Sequence, residues 1–293
     1  MTPVSAKAPE APSGGGQSRA FRDDGLTAEP PLSYSASAKA RMTLASVPVG
    51  QTLGDMPMHL KKIVLFPEKY PNNKHYPFNQ RIFHETKSLE FQSPVTLFVG
   101  ENGTGKSTLL EAIAHRCYIH IWQDRERKRF EFNPYEDKLY RFIGVEWVDG
   151  VVPGSFFSSE LFRYFSRSLD EWAAADPATL KYFGGKSLVT QSHGQSLMSF
   201  FRSRYQIKGL YLLDEPETAL SPSSQVEFVR LLREMGDKGH AQFIVATHSP
   251  MILACPGANI YSFDKIPVEL VNYEDTEHYR IYKSFMEDPK GYF

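Results

Sequence analysis

Gly100-Glu101-Asn102-Gly103-Thr104-Gly105-Lys106-Ser107-Thr108 stands between the apolar run Val95-Thr96-Leu97-Phe98-Val99 and a helix-like stretch from Leu109 to His120. A glycine-rich loop joining a strand to a helix turns tightly, so that its backbone N–H groups converge on phosphate oxygens. Gly100, Asn102, Gly103, Thr104, Gly105, Lys106, Ser107 and Thr108 are therefore the candidate phosphate-binding residues. In a loop of this pattern the lysine, Lys106, reaches the β- and γ-phosphates, and the hydroxyl of Ser107 is offered to Mg²⁺. The following helix points its positive N-terminal end at the same anion. The stretch thus predicts a nucleoside triphosphate site with Mg²⁺ as its cofactor.

Further along, the apolar run Leu210-Tyr211-Leu212-Leu213 ends in Asp214-Glu215. A buried strand of a parallel sheet delivers its last side chains to the edge where ligands bind. Beside a phosphate loop, Asp214 is a candidate to hold Mg²⁺, and Glu215 to orient the attacking water and take its proton. The plainer alternative is a cap in the turn Glu215-Pro216-Glu217. Between the two segments lies Gln191-Ser192-His193-Gly194-Gln195-Ser196, which alone reads as a polar turn capping the helix-like run Leu197 to Arg204. Downstream, Phe243-Ile244-Val245-Ala246-Thr247-His248-Ser249-Pro250 reads as a core strand ending at His248. A histidine so placed can contact a γ-phosphate or steady a hydrolytic water.

Taken in order, these four segments resemble the ATP-binding-cassette superfamily, with its Walker A, signature, Walker B and switch-histidine motifs. Ser192 to Ser196 looks like a variant of the Leu-Ser-Gly-Gly-Gln signature, and Leu212 to Ser221 looks like Walker B with the loop after it. The resemblance spans about residues 58 to 270. Asp214 to Pro222 and Ala246 to Pro250 are most similar to soluble ATPases allied to recombination, chromosome-maintenance and phage-defence proteins. Transport cassettes are more distant.

The resemblance implies an α/β P-loop NTPase of the ABC-ATPase type. Its mostly parallel core sheet would be flanked by helices and carry an inserted helical arm at about 118–206. ATP would be the substrate, with Glu215 and His248 catalytic. Ser192, Gly194 and Gln195 of one copy would close over nucleotide held by another, making a homodimer with composite sites. The partner would be an effector protein or a nucleic acid; the alternative is the nucleotide-binding subunit of a membrane transporter. Transport cassettes carry a glutamine where this chain has Glu160, in Phe156-Phe157-Ser158-Ser159-Glu160-Leu161-Phe162, so Glu160 becomes a candidate oxygen ligand of Mg²⁺ and transporter-type coupling is disfavoured. Ser221 stands where many cassettes have an aspartate that reaches across the dimer, and that role is not carried over. Tyr76 or Phe78 is a candidate to stack on adenine.

From Met58 onward strand-like and helix-like segments alternate, as in an α/β fold. Candidate strands are Ile63 to Phe66, Val95 to Val99, Leu139 to Val148, Leu210 to Asp214, Gln242 to Thr247 and Asn259 to Phe263. Candidate helices are Lys106 to His120, Ser159 to Ala175, Gln195 to Tyr205 and Pro222 to Met235. Residues 58–293 thus form the expected ATPase domain. Residues 1–57 are rich in Ala, Pro, Ser and Gly and poor in large apolar side chains, which predicts a disordered tail.

A formal net charge of -1 over 293 residues makes no electrostatic demand for a polyanionic partner. The cluster Arg125-Glu126-Arg127-Lys128-Arg129 reads as a solvated helix face, because Asp124, Glu126 and Glu131 dilute it; contact with a nucleic-acid backbone is the sharper alternative. No apolar run approaches the roughly 20 residues that span a bilayer, so no direct membrane insertion is expected and the predicted location is cytoplasmic. Cys117 and Cys255 lie far apart with no metal-ligand spacing, and read as two reduced thiols.

Overall fold

The strands that deliver the phosphate loop and the paired carboxylates lie in one sheet, buried on both faces. The computed structural model describes residues 58–121, 133–176, 178, 180 and 193–293. Ser192, the 125–129 cluster and the 1–57 tail fall outside the described residues. Strands β1 (Leu60–Leu65), β2 (Ser88–Glu90), β3 (Val95–Val99), β4 (Ile143–Trp147), β5 (Gly154–Ser158), β6 (Gly209–Asp214), β7 (Ala241–Ala246), β8 (Asn259–Ser262) and β9 (Glu269–Val271) follow in chain order. The helices are α1 (Arg81–Glu85), α2 (Lys106–Arg116), α3 (Ser159–Ala175), α4 (His193–Arg204), α5 (Pro222–Asp237), α6 (Pro250–Leu253) and α7 (Glu277–Glu287).

The main sheet has the order β5-β6-β7-β3-β8-β9, parallel from β5 to β8 and antiparallel only at β9. Every residue of β3 and β7 is buried, as continuous apolar runs covered on both faces require. Alternation along each strand sorts the side chains into two cores. Phe98, Leu212, Ile244 and Ala246 join Leu109, Leu110 and Ile113 of α2 on one face. Leu97, Val99, Leu213 and Val245 face the other way, against Phe162, Phe165 and Leu169 of α3, Phe200 and Phe201 of α4, and Phe228 and Leu232 of α5. The α5 start follows the sequence reading: Ser221 caps it, accepting from the Ser224 N–H, and Pro222 occupies its first turn.

Two of the expected strands lie elsewhere. The alternating pattern assigns Ile63–Phe66 and Leu139–Val148 to a largely parallel sheet, but β1 and β4 pair antiparallel, with β2 on the other side of β1, in a separate three-stranded sheet. Leu139–Phe142 is a turn of 3-10 helix, so the strand starts only at Ile143. Gln242 fastens the two sheets together. Its buried amide accepts from the His59 and Leu60 N–H groups at 2.9 and 2.7 Å and donates to the Leu60 carbonyl at 2.9 Å, so three backbone groups at the start of β1 are met by one side chain of β7.

Helix α2 ends at Arg116 rather than at His120. Tyr118 adopts φ 57 just past the C-cap Cys117, its N–H reaching the His115 carbonyl while the Ile119 N–H reaches Ala114. That is a Schellman arrangement with a tyrosine where glycine is usual. It turns the chain sharply and sends Ile119 back into the core.

Candidate functional site

Because β3, β5, β6, β7 and β8 run the same way, their C-terminal ends share one edge, and the candidate residues emerge there. The phosphate loop leaves β3, Asp214 closes β6, His248 follows β7, and Ser159 and Glu160 open α3 directly after β5. The loop is held at its root by Asp264, just beyond β8, whose carboxylate accepts from the Glu101 N–H at 2.7 Å. Thr104 donates its hydroxyl to the Glu101 carbonyl at 2.8 Å. Gly105 has φ +99, and a Cβ there would lie 2.7 Å from the ring of Phe83. The loop therefore needs glycine at 105 for its turn and for its packing. Asn102 and Gly103 stay exposed at its tip.

Lys106 is buried, and its ammonium donates to the Gly100 and Glu101 carbonyls at 2.7 and 2.9 Å. Burial lowers its pKa, while Glu215, Asp214, Asp264 and Glu101 pull the other way. The loop thus carries a charged amine held on weak carbonyl partners, which phosphate oxygens can displace. Thr108 shares a hydrogen bond with the Tyr76 hydroxyl. Phe78, proposed with Tyr76 for adenine stacking, is fully buried among Tyr70, Tyr135 and Phe142 and has no face for a base. Only the half-buried Tyr76 keeps that candidacy.

Ser107 donates its hydroxyl to Asp214 Oδ1 at 3.0 Å. Burial pushes the Asp214 carboxyl up to about 7, against the lowering effect of the Ser107 hydrogen bond, and Glu215 and Glu111 add to the rise. This is an oxygen-donor pair with excess negative charge, the setting a hard divalent cation prefers. Mg²⁺ fits it. Glu160 lies in the first turn of α3, but its side chain is outside the described residues.

Glu215 sits at φ 46, ψ 53, in the left-handed region. For a residue with a side chain this costs on the order of 1 kcal/mol, and hydrogen bonds to its N–H and its carbonyl hold it there. Its N–H reaches the Ala246 carbonyl at 2.9 Å, and its own carbonyl accepts from the Ser159 and Thr218 hydroxyls at 2.8 and 3.0 Å. Glu215 Oε1 lies 3.6 Å from His248 Nε2, and Glu217 accepts from the His248 N–H at 2.6 Å. Burial and the Lys106 charge lower the His248 pKa, which favours a neutral imidazole.

The signature-like segment is placed differently. Gly194 and Gln195 lie in the first turn of α4, half-buried and exposed respectively. A Cβ at Gly194 would stand 3.4 Å from the Ala219 carbonyl oxygen, so this turn packs on the segment after Asp214-Glu215. Within one copy the geometry thus brings together Lys106, Ser107, Asp214, Glu215 and His248. Asp264, Ser159 and His278 were not among the sequence candidates. Asp264 carried a usable signal, since Ile260 to Phe263 ends in an acid just as Leu210 to Leu213 does.

A family model described as "AAA domain" matches residues 78–136, and one described as "AAA domain, putative AbiEii toxin, Type IV TA system" matches residues 196–254. The ferric enterobactin transport ATP-binding protein FepC of Escherichia coli is 30% identical over 164 residues, covering 50% of this chain and 59% of its own length. The OLD nuclease of Thermus scotoductus is 45% identical over 51 residues, 17% of this chain and 10% of that protein. The chain therefore spans under two thirds of either relative. The SMC head domain from Thermotoga maritima overlays with a TM-score of 0.40 at 17% identity, covering 73% of this chain and 99% of the other. No helix among the described residues is long and apolar enough to cross a membrane.

Proposed function

Because the chain belongs to the ATP-binding-cassette superfamily of P-loop ATPases, we propose that it binds Mg-ATP between two copies of itself and hydrolyses it. The observation that carries the reading is the convergence of Ser107 on Asp214 and of His248 on Glu215 at one sheet edge. Ser107 and Asp214 would hold Mg²⁺, with Glu160 as a further oxygen ligand; when bound, the ion screens the charge of the phosphates. Lys106 leaves its carbonyl partners for the β- and γ-phosphates. Water attacks the γ-phosphorus, its proton passes to the Glu215 carboxylate, and the bond to the bridging oxygen breaks to release ADP and phosphate. His248, neutral and donating from Nε2, steadies the γ-phosphate oxygens and the Glu215 carboxylate.

The second copy supplies Ser192, Gly194 and Gln195. Gly194 and Gln195 lie in the first turn of α4, whose N-terminal end carries partial positive charge that suits a γ-phosphate in transition. In its own copy that turn packs on the segment after Walker B. Residues 58–293 form the ATPase domain; within the stretch of about 118–206 expected as an inserted helical arm, β4 and β5 belong to the two sheets, so the arm is confined to the part from α3 to α4.

The effector reading we favour is a nucleic-acid-linked or defence-linked partner, supported by the 45% identical segment of a nuclease and by the toxin-system family model. Its rival is the ATPase subunit of a transporter, supported by the likeness to FepC. Phosphate release by the full chain, alone and with DNA or RNA over a salt series, tests both levels. Hydrolysis that is lost in Lys106→Ala and stimulated by nucleic acid supports the favoured reading. Hydrolysis indifferent to nucleic acid removes the effector assignment, and no difference between wild type and Lys106→Ala removes the ATPase assignment.

A further inference from the structure

His248 does not stand alone: its Nδ1 lies 3.1 Å from Nε2 of His278, in the first turn of α7. Two neutral imidazoles share one hydrogen at such a contact, so one ring must donate and the other accept. The far side of His248 decides which. If His248 donated from Nδ1, its bare Nε2 lone pair would face the Glu215 carboxylate at 3.6 Å, an acceptor against an anion. If His278 donates instead, His248 carries its proton on Nε2 and points it at that carboxylate. The second arrangement is electrostatically favoured.

A frame of hydrogen bonds fixes the contact. Ser249 caps α6, accepting from the Met251 and Ile252 N–H groups, and donates its hydroxyl to Gln225 of α5 at 2.6 Å. Tyr273 donates to the Pro250 carbonyl at 2.9 Å and packs its ring on Tyr279 of α7. The buried Thr276 caps α7, accepting from the Tyr279 N–H and donating to the Tyr273 carbonyl at 2.7 Å. The start of α6, which carries on from His248, and the start of α7, which carries His278, are therefore braced against each other through Tyr273. Gln225, Ser249, Tyr273, Thr276 and Tyr279 together hold the two imidazoles in register.

We propose that His278 is a positioning residue for hydrolysis, donating from Nε2 to His248 Nδ1 and so fixing His248 as the tautomer that donates from Nε2. The inference rests on the role given to His248 above. It assigns α7 a part in the chemistry although no residue of that helix is buried. It also accounts for the buried Nε2 of His248, which has no hydrogen-bond partner of its own: that proton is aimed where a γ-phosphate oxygen or the Glu215 carboxylate closes in.

The test compares His278→Phe, which keeps a ring and loses the donor, with His278→Gln, whose amide nitrogen can replace Nε2–H. In His278→Phe, phosphate release should fall about tenfold, the usual scale for losing a partner that orients a functional histidine, with the KM for ATP little changed. His278→Gln should recover most of the rate. In a His248→Ala background, His278→Phe should cost nothing more, because His278 acts through His248. Nitrogen-15 NMR of histidine-labelled wild type should show His248 protonated on Nε2, and a mixture of tautomers in His278→Phe. A wild-type rate in His278→Phe, an equal loss in the Gln variant, or His248 protonated on Nδ1 overturns the proposal. If His248→Ala itself hydrolyses at the wild-type rate, the role of His248 in the proposed function has failed, while the NMR tautomer still decides the His278 contact.

Discussion

Ser107 Oγ lies 3.0 Å from Asp214 Oδ1 across the full width of β7, which separates the strands that deliver the two residues. The contact places a carboxylate in the interior, and burial holds its pKa at about 7 against an ordinary 3.8. The native state therefore keeps a proton that the unfolded chain has released between these values. Stability falls as pH rises from about 4 to about 7, and the full cost, on the order of a few kcal/mol, persists above. Asp214→Asn should raise the melting temperature clearly at pH 8 and little at pH 4, while abolishing Mg-dependent hydrolysis. An unchanged melting temperature at pH 8 would contradict it.

The same proton competes with the cation. With the carboxyl titrating at about 7, half-saturation by Mg²⁺ in phosphate-release assays should need about tenfold more metal at pH 6 than at pH 8. A flat Mg²⁺ requirement over that range would mean that Asp214 is not a ligand.

Glu215 depends on its left-handed backbone, and the Ser159 hydroxyl holds its carbonyl at 2.8 Å. Ser159→Ala should lower stability by only about 1 kcal/mol yet reduce kcat several-fold by letting the carboxylate drift, and Ser159→Thr should restore it. Urea titration and steady-state kinetics on the three proteins read both effects. A kcat unaffected by the alanine would show that Ser159 does not position Glu215.

What was legible in the sequence, and what was not, follows from the range of the forces involved. Gly100 to Thr108, Leu210 to Glu215 and Ala246 to His248 each encode a strand end and the turn after it within a few neighbours, so local reading placed these segments at one sheet edge. Ser221 and Pro222 announced α5 in the same way. Tyr118 broke the reading of α2 because the αL position after a helix is usually glycine, and here a buried Ile119 pulls the chain into that conformation. The antiparallel pairing of Ile63 with Val145 and Leu89 is a choice of partner, which an alternating apolar pattern does not contain. His278 was invisible for the same reason: its contact with His248 is made by the packing of α7, and nothing in Glu277-His278-Tyr279 marks it.

Gln242 offers a test of how the two sheets are joined. Gln242→Leu keeps the volume but strands the His59 and Leu60 N–H groups and the Leu60 carbonyl in the interior. The expected loss is on the order of 3 kcal/mol or more, since each orphaned buried group costs about 1–3. A urea midpoint equal to that of wild type would show that other groups satisfy this backbone.

In the proposed mechanism ATP is held between two copies and hydrolysed with Glu215 as the proton acceptor. Sedimentation velocity of Glu215→Gln, with and without saturating Mg-ATP, tests it most directly. A monomer without nucleotide and a stable dimer with it are expected, because the variant retains every nucleotide contact and cannot turn over. A protein that sediments as a monomer in saturating Mg-ATP would contradict the claim.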